Sequence, residues 1–234
     1  MSGTLYGIGV GPGDPELMTL KAHRLISAAR VVAYPAPDDG ASFARRIAAD
    51  TIPAGAEEIP MIVPIRVDRF PAQEVYAEAA ERIAAHLDAG TDVAVLCEGD
   101  PFFYGSFMYL FARLGTRFAV EIVPGVSSLT ACAAALKRPL TSRNDVLTVL
   151  PGPLADAELR PRIEAAEAIA IMKVGRHLPR IRALLEAMGL TANAGYIERA
   201  SLGEEHVSKL DEAPEKATYF SMILIYKGDD PWLI

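Results

Sequence analysis

Two α/β domains, the first built on a largely parallel sheet and the second on a mixed one, are what this sequence predicts. Three observations carry that reading. Through the first two-thirds of the chain, short apolar runs alternate with helical periodicity, and strand–helix alternation is the signature of a parallel sheet covered on both faces. The run Val93-Ala94-Val95-Leu96-Cys97 is apolar without interruption, as befits a central strand rather than an edge. Near the C-terminus three strand-like pieces follow one another with almost no helix between them, which calls for a mixed or antiparallel sheet.

Element by element, residues 4–10 read as a strand, with helical sequence following to about Ala29. Residues 31–34 form a second strand, 41–50 a helix and 57–62 a third strand. MIVPIRVDRF, from Met61, fits a loop. Residues 73–87 are an amphipathic helix with Val75, Ala79, Ile83 and Leu87 four apart. A strand at 92–97, a helix at 106–114, a strand at 118–123 and a helix at 129–136 complete this part. PLTSRND and LPGP look like connectors. Beyond the first of them come a strand (145–150), a helix (155–166), a strand (168–174) and a helix (178–188). The three consecutive strand-like pieces are 194–201, 206–210 and 219–227. The expected domains are 1–123 and 124–234.

Composition narrows the class. Hydrophobic residues make up 51% and charged residues 23% of 234, enough apolar material for a real core. No apolar run has the length needed to cross a bilayer, and Met1-Ser2-Gly3-Thr4 lacks a signal-peptide layout, so the cytoplasm is the expected location. Cys97 and Cys132 sit in apolar settings and read as buried thiols. The four histidines are scattered, and no zinc-ligand spacing is present, so no metal site is expected. A formal net charge of -7 argues against a nucleic-acid groove.

Three unusual turns follow predicted strands: GIGVGPGDPE from Gly7, EGDPFFYGS from Glu98, and PGVSS from Pro124. In a parallel sheet all three lie at the carboxyl ends of strands, where open α/β sheets bind ligands. Each also has a local structural use. Asp14-Pro15 and Asp100-Pro101 suit a helix N-cap followed by proline, Thr19 competes with Asp14, and Ser127 or Ser128 suits the cap of the next helix. Capping and binding are compatible, since exposed N–H groups at helix starts also receive ligands. The glycines of the first turn alternate and are broken by Pro12 and Pro15, which is not the dinucleotide spacing, and no Walker lysine follows. Glu98 and Asp100 disfavour a polyanion at the second turn. A ligand bearing an ammonium or sulfonium group beside hydroxyls fits, and S-adenosylmethionine has those features.

The ordered set of motifs resembles the tetrapyrrole (corrin/porphyrin) methylase family over essentially the whole chain. The resemblance rests on GVGPGD (Gly9 to Asp14), DPELMTLKAHRLISAARVVAY, the Glu98–Pro101 turn, PGVSS, Ile171-Met172-Lys173, and Glu198-Arg199-Ala200-Ser201. Tyr34-Pro35, Pro60-Met61, MKVGR and ERAS look most like the members that methylate C-20 of precorrin-2. The resemblance implies S-adenosylmethionine, with S-adenosylhomocysteine as product, folded into a cleft between two α/β domains, and it implies a homodimer. It places cofactor contacts on Gly99, Asp100, Phe103, Ser127, Ser128, Met172 and Ala200. Without it, Met172 reads as ordinary core after the apolar run AIAI.

The implied substrate, precorrin-2 or its cobalt form, carries many carboxylates. A chain of net charge -7 must then gather basic groups locally. Candidates are Arg45, Arg46, Lys137, Arg138, Arg143, Lys173 and Arg176, each also readable as a solvated surface charge. Pro12 and Asp14, on the first turn, and Tyr34 form an expected substrate rim. No Ser-His-Asp or paired-carboxylate arrangement is visible, and positioning can supply most of the rate. Tyr104 and Glu98, with Asp100, are the nearest groups for moving a proton. Two further readings stand beside this one: methylation of another ring position or of uroporphyrinogen, and a non-catalytic nucleotide-binding regulator.

Overall fold

The computed structural model describes residues 2–38, 40–63 and 70–228, so residues 64–69 of the expected MIVPIRVDRF loop lie outside it. The chain divides into two compact units, Met1–Ser127 and Ser128–Ile234. That division falls a few residues beyond the boundary expected from sequence texture, so PGVSS closes the first unit and opens the second.

The first unit is a five-stranded sheet in the order β3-β2-β4-β1-β5. Its strands are β1 (Thr4–Gly9), β2 (Val31–Ala36), β3 (Glu57–Ile62), β4 (Val93–Cys97) and β5 (Ala119–Val123), and every pairing is parallel. The uninterrupted apolar run is β4. It lies at the centre of the sheet with all five residues buried, because a parallel strand sandwiched by helices has no polar face to offer water.

Helices cover both faces. α1 (Leu20–Ser27) and α2 (Phe43–Ile47) pack through Ala22, Ile26, Ala44 and Ile47 on Ile8, Val32 and Leu96. α3 (Phe70–Asp88) and α4 (Phe107–Leu114) pack through Ile83, Leu87, Phe107 and Leu110 on Leu5, Val31 and Val95. Each such fully buried large side chain contributes about 1.5–3 kcal/mol relative to exposure. Gly7 is what admits Phe107: a Cβ at Gly7 would lie 2.5 Å from the ring.

The helical stretches differ from expectation in two places. The sequence after β1 is not one helix: Pro15–Leu17 makes a single 3-10 turn, and α1 begins only after Thr19. Both predicted caps are used. Asp14 accepts from the N–H of Glu16 at 2.9 Å, and Thr19 accepts from the N–H of Ala22 at 3.1 Å. The helix expected over 41–50 shrinks to α2, whose start is fixed by Ser42 accepting from the N–H of Arg45.

The second unit is a mixed sheet in the order β6-β7-β10-β8-β9. Its strands are β6 (Leu147–Pro151), β7 (Ala168–Met172), β8 (Ala194–Glu198), β9 (His206–Lys209) and β10 (Ser221–Tyr226). β6 and β7 are parallel, and the remaining pairings are antiparallel. α6 (Asp156–Ala165) and α7 (Leu178–Ala187) share one core with the sheet, including Leu159, Ile163, Ile171, Ile181, Leu185, Tyr196 and Ile223. α5 (Ser128–Leu136) packs on β8 and β10, and the missing side chain of Gly195 leaves room for Leu136.

Candidate functional site

In the first unit, chain order and sheet order together create a point where neighbouring connections part. From β1 the chain moves through α1 and α2 to β2 and β3 on one face; from β3 it returns through α3 and α4 to β4 and β5 on the other. The turns leaving the carboxyl ends of the adjacent strands β1 and β4 therefore diverge to opposite faces. This is the topological switch point, where open α/β sheets take their ligands. GIGVGPGDPE and EGDPFFYGS are those two turns.

They are stitched together. The N–H of Gly99 donates to the carbonyl of Gly11 at 2.8 Å, the N–H of Gly11 donates back at 3.3 Å, and the N–H of Val10 donates to Cys97 at 2.9 Å. Both glycines have left-handed backbones, φ 84° at Gly11 and 62° at Gly99, a region that costs other residues roughly 1–2 kcal/mol. The third turn joins through Gly125. A Cβ at Gly9 would stand 2.5 Å from the Gly99 carbonyl oxygen and 2.7 Å from the Gly125 Cα, and a Cβ at Gly125 would overlap the same carbonyl. The glycines thus let three turns touch one another.

Asp100 ties the arrangement. Its Oδ1 accepts from the N–H groups of Phe102 and Phe103 at 2.9 and 3.1 Å, and its Oδ2 accepts from the N–H of Gly125 at 3.1 Å. Phe103 packs edge-on against Tyr104, ring centroids 5.2 Å apart. Tyr104 has φ 55° and is 42% exposed, a backbone conformation that persists only where the surroundings over-determine it. Behind the turn, burial pushes the phenol of Tyr76 up to about 12, opposed by a hydrogen bond with Ser106. Burial likewise drives the Cys97 thiol far above its ordinary range, reinforced by Glu98, which leaves it inert.

The second unit has a comparable edge. The carboxyl ends of β7 and β8 and the start of β10 lie together there, since Met222 pairs with Met172 and Ser221 with Glu198. Lys173, Arg199 and Ser201 take φ values of 57°, 49° and 67°, so the exits of β7 and β8 both turn through left-handed residues. Met172 and Ala200 are both buried, each 8% exposed. The Glu198 carboxylate accepts from the Tyr196 hydroxyl at 2.5 Å and from the N–H of Thr218 at 2.7 Å. The Ser221 hydroxyl donates to Thr218 and accepts from the N–H of Gly175. Nζ of Lys173 stands 5.9 Å over the Tyr219 ring.

Residues 4–214 match the family model described as Tetrapyrrole (Corrin/Porphyrin) Methylases. The chain belongs to the tetrapyrrole methylases. Among curated relatives, it is 41% identical to a Sinorhizobium protein named precorrin-2 C(20)-methyltransferase, over 95% of each chain. It is 44% identical over 97% of its length to the Mycobacterium tuberculosis cobalamin biosynthesis protein CobIJ, of which it spans 46%. Among solved structures, the Thermus thermophilus uroporphyrin-III C-methyl transferase complexed with S-adenosylhomocysteine aligns with a TM-score of 0.67, 28% identity and coverage of 95% of this chain and 97% of that one.

As a tetrapyrrole methylase, the chain distributes its predicted site residues unevenly. Glu98, Gly99, Asp100, Phe103, Tyr104 and Ser127 lie on the joined turns of the first unit, and Ser128 begins α5. Met172, Lys173 and Ala200 lie on the strand-exit edge of the second unit. Pro12 is buried and Asp14 caps the 3-10 turn. Arg143 is exposed, on the loop before β6, with φ 41°.

Tyr34 and Arg45 are drawn into a cluster that motif reading did not include. The Tyr34 hydroxyl donates to Oε2 of Glu58 at 2.6 Å, and the Arg45 guanidinium forks both oxygens of Glu58 at 3.0 Å. Hydrogen bonds from Arg45 and Tyr34 hold the Glu58 carboxyl below its ordinary range. Burial, then Glu58 itself, raises the Tyr34 phenol. Partners 13 and 24 residues from Glu58 leave no local signal in a linear pattern. Among the described residues, no group of three or more His, Cys, Asp or Glu side chains is placed to hold a metal ion, and no helix is long and apolar enough to cross a membrane.

Proposed function

We propose that this tetrapyrrole methylase transfers a methyl group from S-adenosylmethionine to C-20 of precorrin-2, or of its cobalt form, giving precorrin-3A in cobalamin biosynthesis. The observation that carries the reading is the 41% identity, over 95% of both chains, to the Sinorhizobium protein of that name.

The residues fit the cofactor. The switch point offers a rigid set of backbone turns, and the strand-exit edge of the second unit offers a thioether and a small buried residue. Cofactor contacts are assigned to Gly99, Asp100, Phe103 and Ser127 in the first unit, and to Ser128, Met172 and Ala200 in the second. When bound, S-adenosylmethionine supplies an electrophilic sulfonium methyl, which the electron-rich meso carbon takes in line before shedding its own proton.

The chain's part is chiefly positioning, which in well-oriented systems supplies about 7–11 kcal/mol of the barrier. Asp100 orients the second turn by accepting from the N–H groups of Phe102 and Phe103, and ties it to the third by accepting from the N–H of Gly125. Ala200 permits close approach of a flat ring to backbone. Glu98 and Tyr104 are the groups assigned to the proton. Lys173 and Arg143 are assigned to substrate carboxylates, with Pro12, Asp14 and Tyr34 shaping the rim. Arg45 joins them through Glu58, because its fork is already occupied there. The chain is read as a cytoplasmic homodimer with no nucleic-acid or membrane partner.

Methyl transfer from labelled cofactor to a panel of precorrin-2, cobalt-precorrin-2 and uroporphyrinogen III tests this. The expected result is label at C-20 of one of the first two. Label on uroporphyrinogen alone overturns the ring position, and cofactor binding without transfer to any of them overturns catalysis.

A further inference from the structure

The exits of β7 and β8 carry Met172 and Ala200, and the sheet alone does not hold those exits in register. β7 and β8 are not neighbours: β10 runs between them, antiparallel to both. The two exits are therefore two strand spacings apart, about 10 Å. Each is strained as well. Lys173, Arg199 and Ser201 are left-handed without being glycine, and Gly175 has φ 40°. Such conformations persist where the surroundings hold them.

What spans the gap is the chain entering β10, and it is tied to both sides. On the β8 side, the N–H of Arg199 donates to the carbonyl of Phe220 at 2.9 Å, and the Glu198 carboxylate accepts from the N–H of Thr218 at 2.7 Å. On the β7 side, the N–H of Val174 donates to the carbonyl of Ser221 at 3.3 Å, and the N–H of Gly175 donates to the Ser221 hydroxyl at 3.0 Å. That hydroxyl donates in turn to the carbonyl of Thr218 at 2.6 Å. Thr218 is thus gripped at its N–H by Glu198 and at its carbonyl by Ser221. One hydrogen-bonded line, Glu198 to Thr218 to Ser221 to Gly175, joins the two exits across the start of β10.

Both side chains are committed to that line. Ser221 is 5% exposed, and burying a hydroxyl costs free energy unless it is bonded. Its two bonds go to Thr218 and Gly175. Glu198 receives the Tyr196 hydroxyl on the same oxygen, Oε1, that takes the Thr218 N–H. Burial, then Glu198 itself, drives the Tyr196 phenol far above its ordinary value, so it stays a donor and pins the carboxylate. We propose that Glu198 and Ser221 are positioning residues: acting through Thr218, they fix the separation of Met172 from Ala200, a role that rests on the cofactor contacts assigned above. Spacing set in advance matters because a site that must be ordered as its ligand arrives loses that ordering cost from its affinity.

The test is calorimetry of the full chain with S-adenosylhomocysteine, beside Ser221→Ala, Glu198→Ala, the double variant carrying both, and Glu198→Gln. Each single loss should weaken binding roughly tenfold, the worth of about one hydrogen bond. Because both act through Thr218, the double variant should fall well short of the roughly hundredfold that independent losses would give. Glu198→Gln keeps an oxygen able to accept both bonds and should restore most of the affinity. A variant that is only less stable has fewer binding-competent molecules, which lowers the measured stoichiometry and not the affinity of those that remain. Parental affinity in Ser221→Ala, a double variant weakened by the full product of the two, or Glu198→Gln as weak as Glu198→Ala overturns the positioning role and leaves the cofactor assignment standing. A parent that does not bind S-adenosylhomocysteine overturns both. Should Glu198→Ala not fold, Ser221→Ala decides alone.

Discussion

The carboxylate of Asp100 reaches from the second turn to the backbone N–H of Gly125 on the third, 3.1 Å away. One side chain thereby fixes the spacing of two segments assigned to the cofactor. Replacing Asp100 by Ala leaves three backbone N–H groups without their acceptor, each costing about 1–3 kcal/mol where water cannot substitute. Calorimetry should show S-adenosylhomocysteine binding weakened by ten- to a hundredfold, about 1.4 kcal/mol per decade. An affinity equal to the parent's would remove Asp100 from the cofactor site.

The packing of Gly9, Gly99 and Gly125 makes a second prediction. Gly125→Ala puts a methyl group into the Gly99 carbonyl, and overpacking of this kind costs about 1–3 kcal/mol. Gly55→Ala is the control, since nothing lies within 4 Å of the added Cβ. Thermal melting should drop for the first. The second should hold or rise slightly, by the few tenths to about 1 kcal/mol gained when the unfolded chain loses freedom.

Glu58 sets an acid limit. Its folded pKa is held below the ordinary 4.5 by hydrogen bonds from Arg45 and Tyr34. A depressed carboxylate contributes stability that is complete above the unfolded value and is lost as the pH falls through the folded one. Chemical denaturation of the parent should therefore show stability declining as the pH drops below about 4.5. Glu58→Gln should be less stable than the parent at neutral pH, and the gap should close on acidification. A gap of constant size would mean the cluster is not linked to protonation of Glu58.

Lys173 separates folding from function. Its φ of 57° is strained for a lysine and ordinary for glycine. Lys173→Gly should raise the melting temperature, by up to about 1 kcal/mol of added stability. If the ammonium holds a substrate carboxylate, the same variant should raise KM for the tetrapyrrole several-fold while leaving S-adenosylhomocysteine affinity unchanged. A variant with parental KM would confine Lys173 to a structural place.

Much of this was legible in the linear pattern, for identifiable reasons. β4 is apolar at every position because it is central and parallel, whereas a strand with one face in water would alternate. Asp14 and Thr19 both announced themselves as caps because an N-cap bond spans two or three residues. What escaped was non-local. α2 is shorter than its periodicity at both ends: Ser42, tied by its hydroxyl to the Pro35 carbonyl at 2.6 Å, fixes where it starts, and past Ile47 the chain passes into turns, with the N–H of Ala49 donating to Arg46 and that of Thr51 to Ala48. Arg45 read as a free fork because Glu58 is brought beside it by the pairing of β2 with β3. The strained exits at Lys173, Arg199 and Ser201 carry no glycine to mark them.

The position of β1 has a temporal consequence. It leaves the ribosome before the rest of its sheet, yet its two neighbours are β4 and β5, which end at Cys97 and Val123. At roughly 5–20 residues per second, the GIG segment waits on the order of ten seconds before both of its ladders can close. Parallel pairing over such a sequence distance is slow even in the finished chain. The nascent unit must therefore carry an open slot at the middle of its sheet until almost all of it has been made. Nascent chains halted before Val123 should be held by chaperones or aggregate, whereas chains halted past Ser127 should resist proteolysis as a folded unit.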